Sequence, residues 1–307
     1  GFLGQISLAQ MSLAGVSAYA LIRFTSKGKP IQDVRVAGPG FPHPLAALLA
    51  IAVTVLIGLI IAAPALRIRG VQLAVVTMTA VIAIQEFIFR NEKIVGAGAK
   101  ANNPVPRPSW FGWDVSVTYK VNKENPSASN TFTDRWAFTV FALIFLVALV
   151  WMLNNLRRSG TGRRFLAIRS NERAASSGGI NVAQTKMLGF GIGAAVAAIG
   201  GILFAYKIQF VKFENFDLFI GLGLLAFAVI GGITTPAGSI VGGFLGAGGI
   251  VAFFFAERFH SPNFTKYVGI IGAIALIFNA IQNPEGIAGG IAFKKPKAHK
   301  AKKEVAA

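Results

Sequence analysis

Long runs of apolar residues without charged side chains constrain the fold of this 307-residue chain more than any other feature. About 20 residues of α-helix cross a hydrocarbon core of about 30 Å, so runs of this length predict transmembrane helices. A β-barrel would instead show segments of about ten residues with alternating hydrophobicity. The sequence therefore predicts an all-α, polytopic membrane protein, with about eight membrane segments: Phe2–Phe24, Leu45–Leu66, Val71–Phe89, Trp136–Leu153, Met187–Tyr206, Leu218–Gly232, Ser239–Ala256 and Tyr267–Ile281.

The formal net charge of +18 raises the question of nucleic-acid binding. That function needs a basic surface on a soluble domain, and the apolar runs leave no such domain. Lys and Arg beside anionic headgroups each gain about 1 kcal/mol, so loops at the membrane surface account for the charge. We therefore expect membrane lipids, and no nucleic acid, among the partners. The chain has no cysteine, which excludes cysteine-based metal and nucleophile sites.

The distribution of charge between the two membrane faces predicts the orientation. With eight spans, one face holds the Arg67/Arg69 hairpin, the segment 160–186 and the C-terminal tail, and each face carries 15 of the 30 Lys and Arg residues. The face that holds the segment 160–186 carries few acids: Glu172, Glu285 and Glu304. Because cytoplasmic loops are enriched in bases, we predict that the segment 160–186 and the C-terminus are cytoplasmic.

These assignments predict a transmembrane domain over residues 1–290 and a disordered basic tail over residues 291–307. The chain begins at Gly1 within apolar sequence, without the charged region of a signal peptide, so we expect earlier spans to be missing. An outer loop covers residues 90–135, where Trp110 and Trp113 suit a headgroup interface. Closely spaced prolines prevent a helix in this loop: Pro104, Pro106, Pro108 and Pro126. We expect the outer loop to fold against the membrane surface.

The segment 160–186 contains helix-forming residues, Arg163–Ala175, and then Gly178–Gly179, which favours a helix end. We predict one short helix lying across the membrane face. Its arginines and Glu172 are expected to stay in water, and its apolar residues to face lipid or another subunit: Phe165, Ile168 and Ala175. Periodicity does not distinguish a docking helix from an amphipathic surface helix without a partner.

Polar residues interrupt the first predicted span. Buried polar groups in a bilayer need partners or water, so these side chains are expected to face the bundle interior or a translocation pathway. The alternative for each of them is a hydrogen bond between helices. The candidate pathway residues are Gln5, Ser7, Gln10 and Ser12, with Thr77 on the third span; Ser17 also interrupts the first span.

Neither a proton relay nor a metal site is expected within the spans. Glu86 lies within about one turn of a helix end, where reaching the interface costs less than a charge at the midplane. His43, His260 and His299 lie in loops or the tail without metal-ligand spacing, so no metal site is predicted. The chain also lacks a Gly-x-x-x-x-Gly-Lys-Ser/Thr phosphate loop, and any ATP hydrolysis must come from another chain.

A fixed order of short motifs follows the fourth predicted span: Gly162–Arg163, Ala167–Ile168–Arg169, Asn171–Glu172, Ala174–Ala175, Gly179–Ile180–Asn181 and Lys186. This order resembles the cytoplasmic coupling loop of ABC-importer permeases, in the form found in the branched-chain amino acid permease family. Further segments resemble the same family: Gly4–Gln10, Arg69–Gly70 with Thr77–Met78, Val229–Gly232 with Gly238 and Gly242–Gly243, and Asn283–Gly289. The chain departs from the family at Ala9 and Gln10, where the family has Gly and His.

The resemblance implies a permease subunit of an ATP-driven importer in the cytoplasmic membrane of a prokaryote, for branched-chain amino acids or similar small solutes. It implies no enzyme activity and no cofactor in this chain, with ATP-Mg on partner subunits. The implied partners are a second, related permease, two ATPase subunits and an extracytoplasmic solute-binding protein. The implied ATPase-docking residues are Gly162, Arg163, Ala167, Arg169, Asn171, Glu172, Ala174, Ala175, Gly179 and Asn181.

Three alternatives remain open. One is a permease of the same family for urea, amides or other amino acids. Another is an ion-coupled secondary carrier, for which neither paired intramembrane acids nor an inverted repeat is found. The last is a membrane-embedded enzyme, which would need a catalytic constellation that the predicted spans lack.

Overall fold

A computed structural model of the chain describes residues 3–4, 7–27, 38–66, 71–91, 103–106, 108–115, 118–120, 131–133, 135–233, 235–246, 249 and 278. The chain divides into two compact units, Gly1–Leu222 and Gly223–Ala307. The predicted span Tyr267–Ile281, apart from Phe278, and the tail 291–307 lie outside the described residues.

Helices dominate the described part of the chain: α1 Gln10–Thr25, α2 His43–Ala65, α3 Val71–Ile84, α4 Arg135–Arg158, α5 Gly160–Ser170, α6 Glu172–Ser177, α7 Val182–Ile208, α8 Leu218–Gly231 and α9 Pro236–Leu245. A π-helical turn, Gln85–Phe89, continues α3, and a 3₁₀ turn, Phe213–Phe216, precedes α8. Among the described residues, five helical segments are long and apolar enough to cross a membrane: His43–Pro64, Gln72–Phe89, Trp136–Arg158, Val182–Ile208 and Phe213–Gly231. The polytopic helical fold is confirmed, and the number of eight spans stays a prediction.

Helix α1 forms the centre of the first unit, and it begins later than the sequence predicts. The predicted span starts at Phe2, whereas residues 7–9 are not helical and α1 starts at Gln10. Its 16 residues span about 24 Å, which is less than a hydrocarbon core. Eleven of the 16 are buried, so neighbouring helices, and not lipid, surround it. Non-helical backbone at membrane depth is tolerated in such an enclosed position.

Helices α1 and α7 run parallel and pack closely. A Cβ at Gly193 would lie 3.3 Å from Gln10 Nε2, and one at Gly201 would lie 2.6 Å from the carbonyl carbon of Ala14. Ser17 Oγ reinforces the crossing, because it donates to the Ala198 carbonyl at 2.9 Å. Small residues at such crossings let helix backbones approach.

Helix α4 is peripheral to this packing. Only 11% of an apolar stretch of 18 residues in this helix is buried inside the chain. The exposed residues of the helix include Leu143, Val147 and Trp151. A long apolar helix with this exposure suits contact with lipid.

The outer loop contributes short antiparallel strands: β1 Asn103–Pro104 with β6 Phe210–Val211, β2 Ser109–Trp110 with β3 Trp113–Asp114, and β4 Thr118–Lys120 with β5 Thr131–Thr133. The described residues between 92 and 134 contain no helix, as the prolines predict. Strand β6 follows the C-terminal end of α7, while α5 and α6 precede its N-terminal end. The outer loop and the segment 160–186 therefore lie at opposite ends of α7.

In the second unit, glycines bring α9 close to the C-terminal half of α8. Thr235 caps α9, since its Oγ1 accepts from Gly238 N at 3.2 Å, and Pro236 occupies the first turn. A Cβ at Gly242 would lie 2.7 Å from the Phe227 carbonyl oxygen, so this helix pair depends on the missing side chain.

Candidate functional site

The segment 160–186 begins with a tight corner between α4 and α5. Ser159 caps α5, because its Oγ accepts from Gly162 N at 3.3 Å. A Cβ at Gly162 would lie 2.5 Å from the carbonyl oxygen of Arg157, so a larger residue would collide with the last turn of α4. The corner explains why glycine stands at this position of the predicted motif.

The segment contains two short helices, so the prediction of one helix over Arg163–Ala175 is wrong. Asn171 has extended backbone, with φ −157° and ψ 110°, and separates α5 from α6. Its Oδ1 accepts from Arg173 N at 3.0 Å and from Ala174 N at 3.2 Å. An asparagine side chain that satisfies two free amides starts a new helix more readily than it continues an old one.

Helix α6 ends where the sequence predicts. Gly178 N donates to the Ala174 carbonyl at 3.1 Å, and Gly179 has φ +81°, which favours glycine. Asn181 then caps α7, because its Oδ1 accepts from Gln184 N at 3.1 Å. Three capping side chains thus define the corners between α4, α5, α6 and α7, and each helix end in the segment has a named partner.

Three apolar residues of the segment are buried inside this chain, so the expectation that these residues face lipid or another subunit is wrong. Phe165, Ile168 and Ala175 have exposed fractions of 3%, 5% and 6%. Their burial holds α5 and α6 against the first unit, and it leaves a polar outer surface. The exposed residues of that surface are mostly polar or small, with one large apolar residue among them: Arg163, Arg164, Leu166, Arg169, Ser170, Asn171, Arg173, Ala174, Ser176, Ser177, Gly178 and Gly179.

Glu172 and Lys186 form an ion pair that joins α6 to the first turns of α7. Lys186 Nζ lies 2.7 Å from Glu172 Oε1, and the exposed fractions of the two side chains are 1% and 20%. The expectation that Glu172 stays in water is therefore wrong. The sequence offers no direct signal for this pair, because the partners are 14 positions apart on different helices, outside the helical i, i+4 spacing.

The N-terminal residues also contact the segment. Gly4 has φ +67°, and a Cβ there would lie 2.9 Å from Arg169 Cγ. A Cβ at Gly189 of α7 would collide with Leu3 Cδ1 and lie 3.8 Å from Phe165 Cε1. The start of the chain therefore lies at the same end of the helix bundle as α5 and α6.

Three of the five candidate pathway residues are hydrogen-bonded within the protein. Ser12 Oγ donates to the Phe216 carbonyl at 3.5 Å, and Ser7 Oγ accepts from Ala9 N at 3.3 Å. Thr77 Oγ1 donates to the Ala74 carbonyl at 3.0 Å and accepts from Leu8 N at 3.3 Å.

The outcome differs for the other two candidate pathway residues, Gln10 and Gln5. Gln10 is half-buried at the first position of α1, where its amide lies against Gly193 of α7. Gln5 lies outside the described residues. The contacts of Ser12 and Thr77 fit the alternative of hydrogen bonds within and between helices, and a pathway role for all five residues stays a prediction.

Near the middle of α1, an aromatic cluster closes around Gly15. Tyr19, Phe89 and Phe216 are buried, with ring centroids 5.1 Å apart for Tyr19 and Phe89 and 6.3 Å apart for Phe89 and Phe216. Gln85 Nε2 donates to Asp217 Oδ1 at 2.9 Å beside this cluster. Sequence reasoning missed this aromatic cluster, because Phe89 and Phe216 lie in π- and 3₁₀-helical turns, whose side-chain positions regular helical periodicity does not predict.

Glu86 lies at the end of its helix, and its position at a membrane interface stays a prediction. It lies in the π-helical turn, is half-exposed and pairs with Arg90, with 2.8 Å between the carboxylate and the guanidinium. Within the described residues, no group of three His, Asp or Glu side chains is placed to hold a metal ion. The stretches that the structure describes do contain an open apolar groove of about 400 Å³ between α2 and α7, lined by Leu59, Gln184, Met187, Leu188, Gly191 and Ile192.

Known proteins resemble this chain over almost its whole length. The family model described as branched-chain amino acid transport system / permease component matches residues 1–280. The chain is 29% identical over 251 residues to the high-affinity branched-chain amino acid transport system permease protein LivM of Escherichia coli (strain K12). This similarity covers 80% of the chain and 56% of the relative.

Two further relatives extend the comparison. The permease protein LivH of Salmonella typhimurium is 32% identical over 198 residues, covering 62% of this chain and 57% of the relative. The autoinducer 2 import system permease protein LsrC of Enterobacter sp. (strain 638) is 39% identical over 113 residues, covering 34% and 31%. The chain spans about half the length of the LivM and LivH relatives. No solved structure matches it significantly.

Proposed function

This chain belongs to the family of permease components of branched-chain amino acid transport systems, and from that premise we propose that it is the membrane-spanning subunit of an ATP-driven importer. Its substrates are branched-chain amino acids or chemically similar small solutes. It acts with a second, related permease, two ATPase subunits that bind ATP-Mg, and an extracytoplasmic solute-binding protein. The membrane is the cytoplasmic membrane of a prokaryote, with α5, α6 and the C-terminus on the cytoplasmic side.

The single observation that carries this proposal is the form of the segment at residues 160–186. Two capped helices, α5 and α6, lie outside the long apolar helices and bury Phe165, Ile168 and Ala175 in the chain, which leaves Leu166 as the one exposed large apolar residue of the two helices. Their remaining surface is exposed and basic, with the small residues Ala174, Ser176 and Ser177 beside Arg173. An exposed, mostly basic surface with small side chains suits contact with a groove of another protein, whereas a lipid-binding helix needs a continuous apolar face outward.

Transport then follows from rigid-body motion. ATP binding draws the two ATPase subunits together, and each carries the docked α5 and α6 of its permease. Helix α7 follows α6 after four residues and packs along α1. Movement of the surface helices therefore reorients α7 and α1 together, and the pathway alternates between its inward-open and outward-open states.

Reconstitution tests the reaction. The chain is co-expressed with its candidate ATPase and permease partners, placed in liposomes with the binding protein, and assayed for uptake of radiolabelled leucine, isoleucine and valine. We expect uptake that requires ATP and the binding protein. Uptake by this chain alone, driven by an ion gradient, would contradict the proposal and favour a secondary carrier.

A substitution on the exposed surface tests the docking. Ala174→Trp places a large side chain on α6, so we expect loss of co-purification with the ATPase. Ala63→Trp, at an exposed position of the apolar helix α2, is the matched control and is expected to keep the complex. Equal retention of the ATPase by both variants would contradict a docking role for α6.

A cysteine substitution tests the orientation. The chain has no cysteine of its own, so Ser176→Cys carries a single thiol on the exposed surface of α6. A membrane-impermeant maleimide is expected to label it in inside-out vesicles and not in intact cells. The reverse pattern would place α6 on the extracytoplasmic side.

A further inference from the structure

Glu172 and Lys186 join the two parts of the chain that the proposed transport cycle has to couple. Glu172 is the first residue of α6, and Lys186 lies in the second turn of α7. Their charged atoms are 2.7 Å apart, with Lys186 almost completely buried. A buried ammonium group is stable in such a place only with a paired carboxylate, so the two helices hold a defined separation at this point.

Helix α6 depends on contacts of this kind for its position. It has only six residues, and an isolated helix of that length is not stable in water. Asn171 caps its start, Ala175 is buried, and Ile180 N donates to the Ala175 carbonyl at 3.1 Å. The ion pair adds a close charged contact with α7 itself, which the caps do not supply.

We propose that the Glu172–Lys186 ion pair transmits the displacement of α6 to α7, and that Glu172 is a positioning residue within this chain and not a contact for the ATPase. The proposal rests on the proposed function above. Glu172 turns its carboxylate inward, where it is 20% exposed, while Arg173 and Ala174 next to it are exposed. The docking contacts therefore fall to Arg173 and Ala174. From Lys186 the displacement passes along α7 to the close crossing with α1 at Gly201.

The experiment uses the complete transporter in proteoliposomes and measures ATP hydrolysis and leucine uptake separately. Lys186→Met removes the charge and keeps the length of the side chain, and Glu172→Gln removes the other charge. The double variant E172K/K186E restores a pair with reversed charges. Lys207→Met, an exposed lysine at the far end of α7, and Glu86→Gln, from the exposed pair with Arg90, are the matched controls.

We expect Lys186→Met to keep the ATPase bound and hydrolysing ATP, and to lower the number of leucine molecules transported per ATP by about tenfold, a size typical of coupling between sites. The double variant is expected to recover part of this ratio, and the two controls to leave it unchanged. A purely structural role would instead lower the yield of the complex, ATP hydrolysis and uptake together.

Three results would overturn the inference: an unchanged transport ratio in Lys186→Met, loss of the ATPase subunits from that variant, or no recovery in the double variant. Each would leave ATP-dependent uptake by the wild-type complex intact, so the proposed function would stand. Absence of ATP-dependent uptake in the wild-type complex would instead refute the proposed function itself.

Discussion

The crossing of α1 and α7 at Gly201 provides a sharp test of the described packing. A Cβ at Gly201 would collide with the carbonyl oxygen of Ala14 and with Ser17 Oγ, and would lie 2.6 Å from the Ala14 carbonyl carbon. These are mostly backbone atoms of a buried helix, so they cannot move aside as a flexible side chain can. Gly201→Ala therefore forces the two helices apart.

The expected cost follows from two contributions. Overfilling a well-packed site costs about 1–3 kcal/mol. Separation of the helices also weakens the bond from Ser17 Oγ to the Ala198 carbonyl, now 2.9 Å long, and such bonds average about 0.6 kcal/mol in a membrane protein. We expect Gly201→Ala to lower the free energy of unfolding by roughly 2–4 kcal/mol.

The neighbouring residue supplies the control. Gly200 is exposed on the same helix, and a Cβ there meets no atom within 4 Å. Because alanine is the better helix former, Gly200→Ala is expected to stabilise α7 by up to about 1 kcal/mol. Both free energies can be measured by titrating SDS into mixed micelles and following tryptophan fluorescence. Equal midpoints for the two variants would refute the close crossing of α1 and α7.

Three further tests concern a helix cap, a backbone conformation and a hydrogen bond. Asn171→Ala removes the cap of α6 and is expected to cost about 0.5–2 kcal/mol, seen as faster amide hydrogen exchange confined to that helix. Gly179→Ala is expected to cost about 1–2 kcal/mol in thermal stability because of its φ of +81°, whereas Gly160→Ala, without a positive φ, should be neutral. A double-mutant cycle with Gln85→Ala and Asp217→Ala should give a coupling energy of about 1 kcal/mol or more, and a coupling near zero would contradict the hydrogen bond between them.

The long apolar helices could be predicted from sequence because the bilayer sets their length. Helix α2 begins two residues before its predicted start at Leu45, and α3 with its π-helical turn covers Val71–Phe89 as predicted. The start of α1 could not be predicted in this way. Residues 7–9 are compatible with an apolar helix, and only the surrounding helices determine that they remain non-helical.

The sequence predicts where the candidate docking segment lies, but not that it contains two helices. Its position and its end at Gly178–Gly179 follow from local residue preferences. The break at Asn171 depends on a competition between helix continuation and capping, which a helical pattern does not resolve. Periodicity also places Phe165, Ile168 and Ala175 on a common apolar face without indicating what covers that face. The covering surface is this chain, so the exposed side is the opposite one.

The ion pair between Glu172 and Lys186 makes sense as a geometric constraint more than as a source of stability. Replacing a buried ion pair by apolar residues of similar volume is often neutral or stabilising, so its presence argues for a role other than stability. Phe165, Ile168 and Ala175 already hold the surface helices against the chain, but apolar packing is not directional and allows small shifts. A contact of 2.7 Å between charged groups defines one position of α6 relative to α7. A surface helix that has to move a membrane helix needs such a defined position, because a contact that slides would lose the displacement.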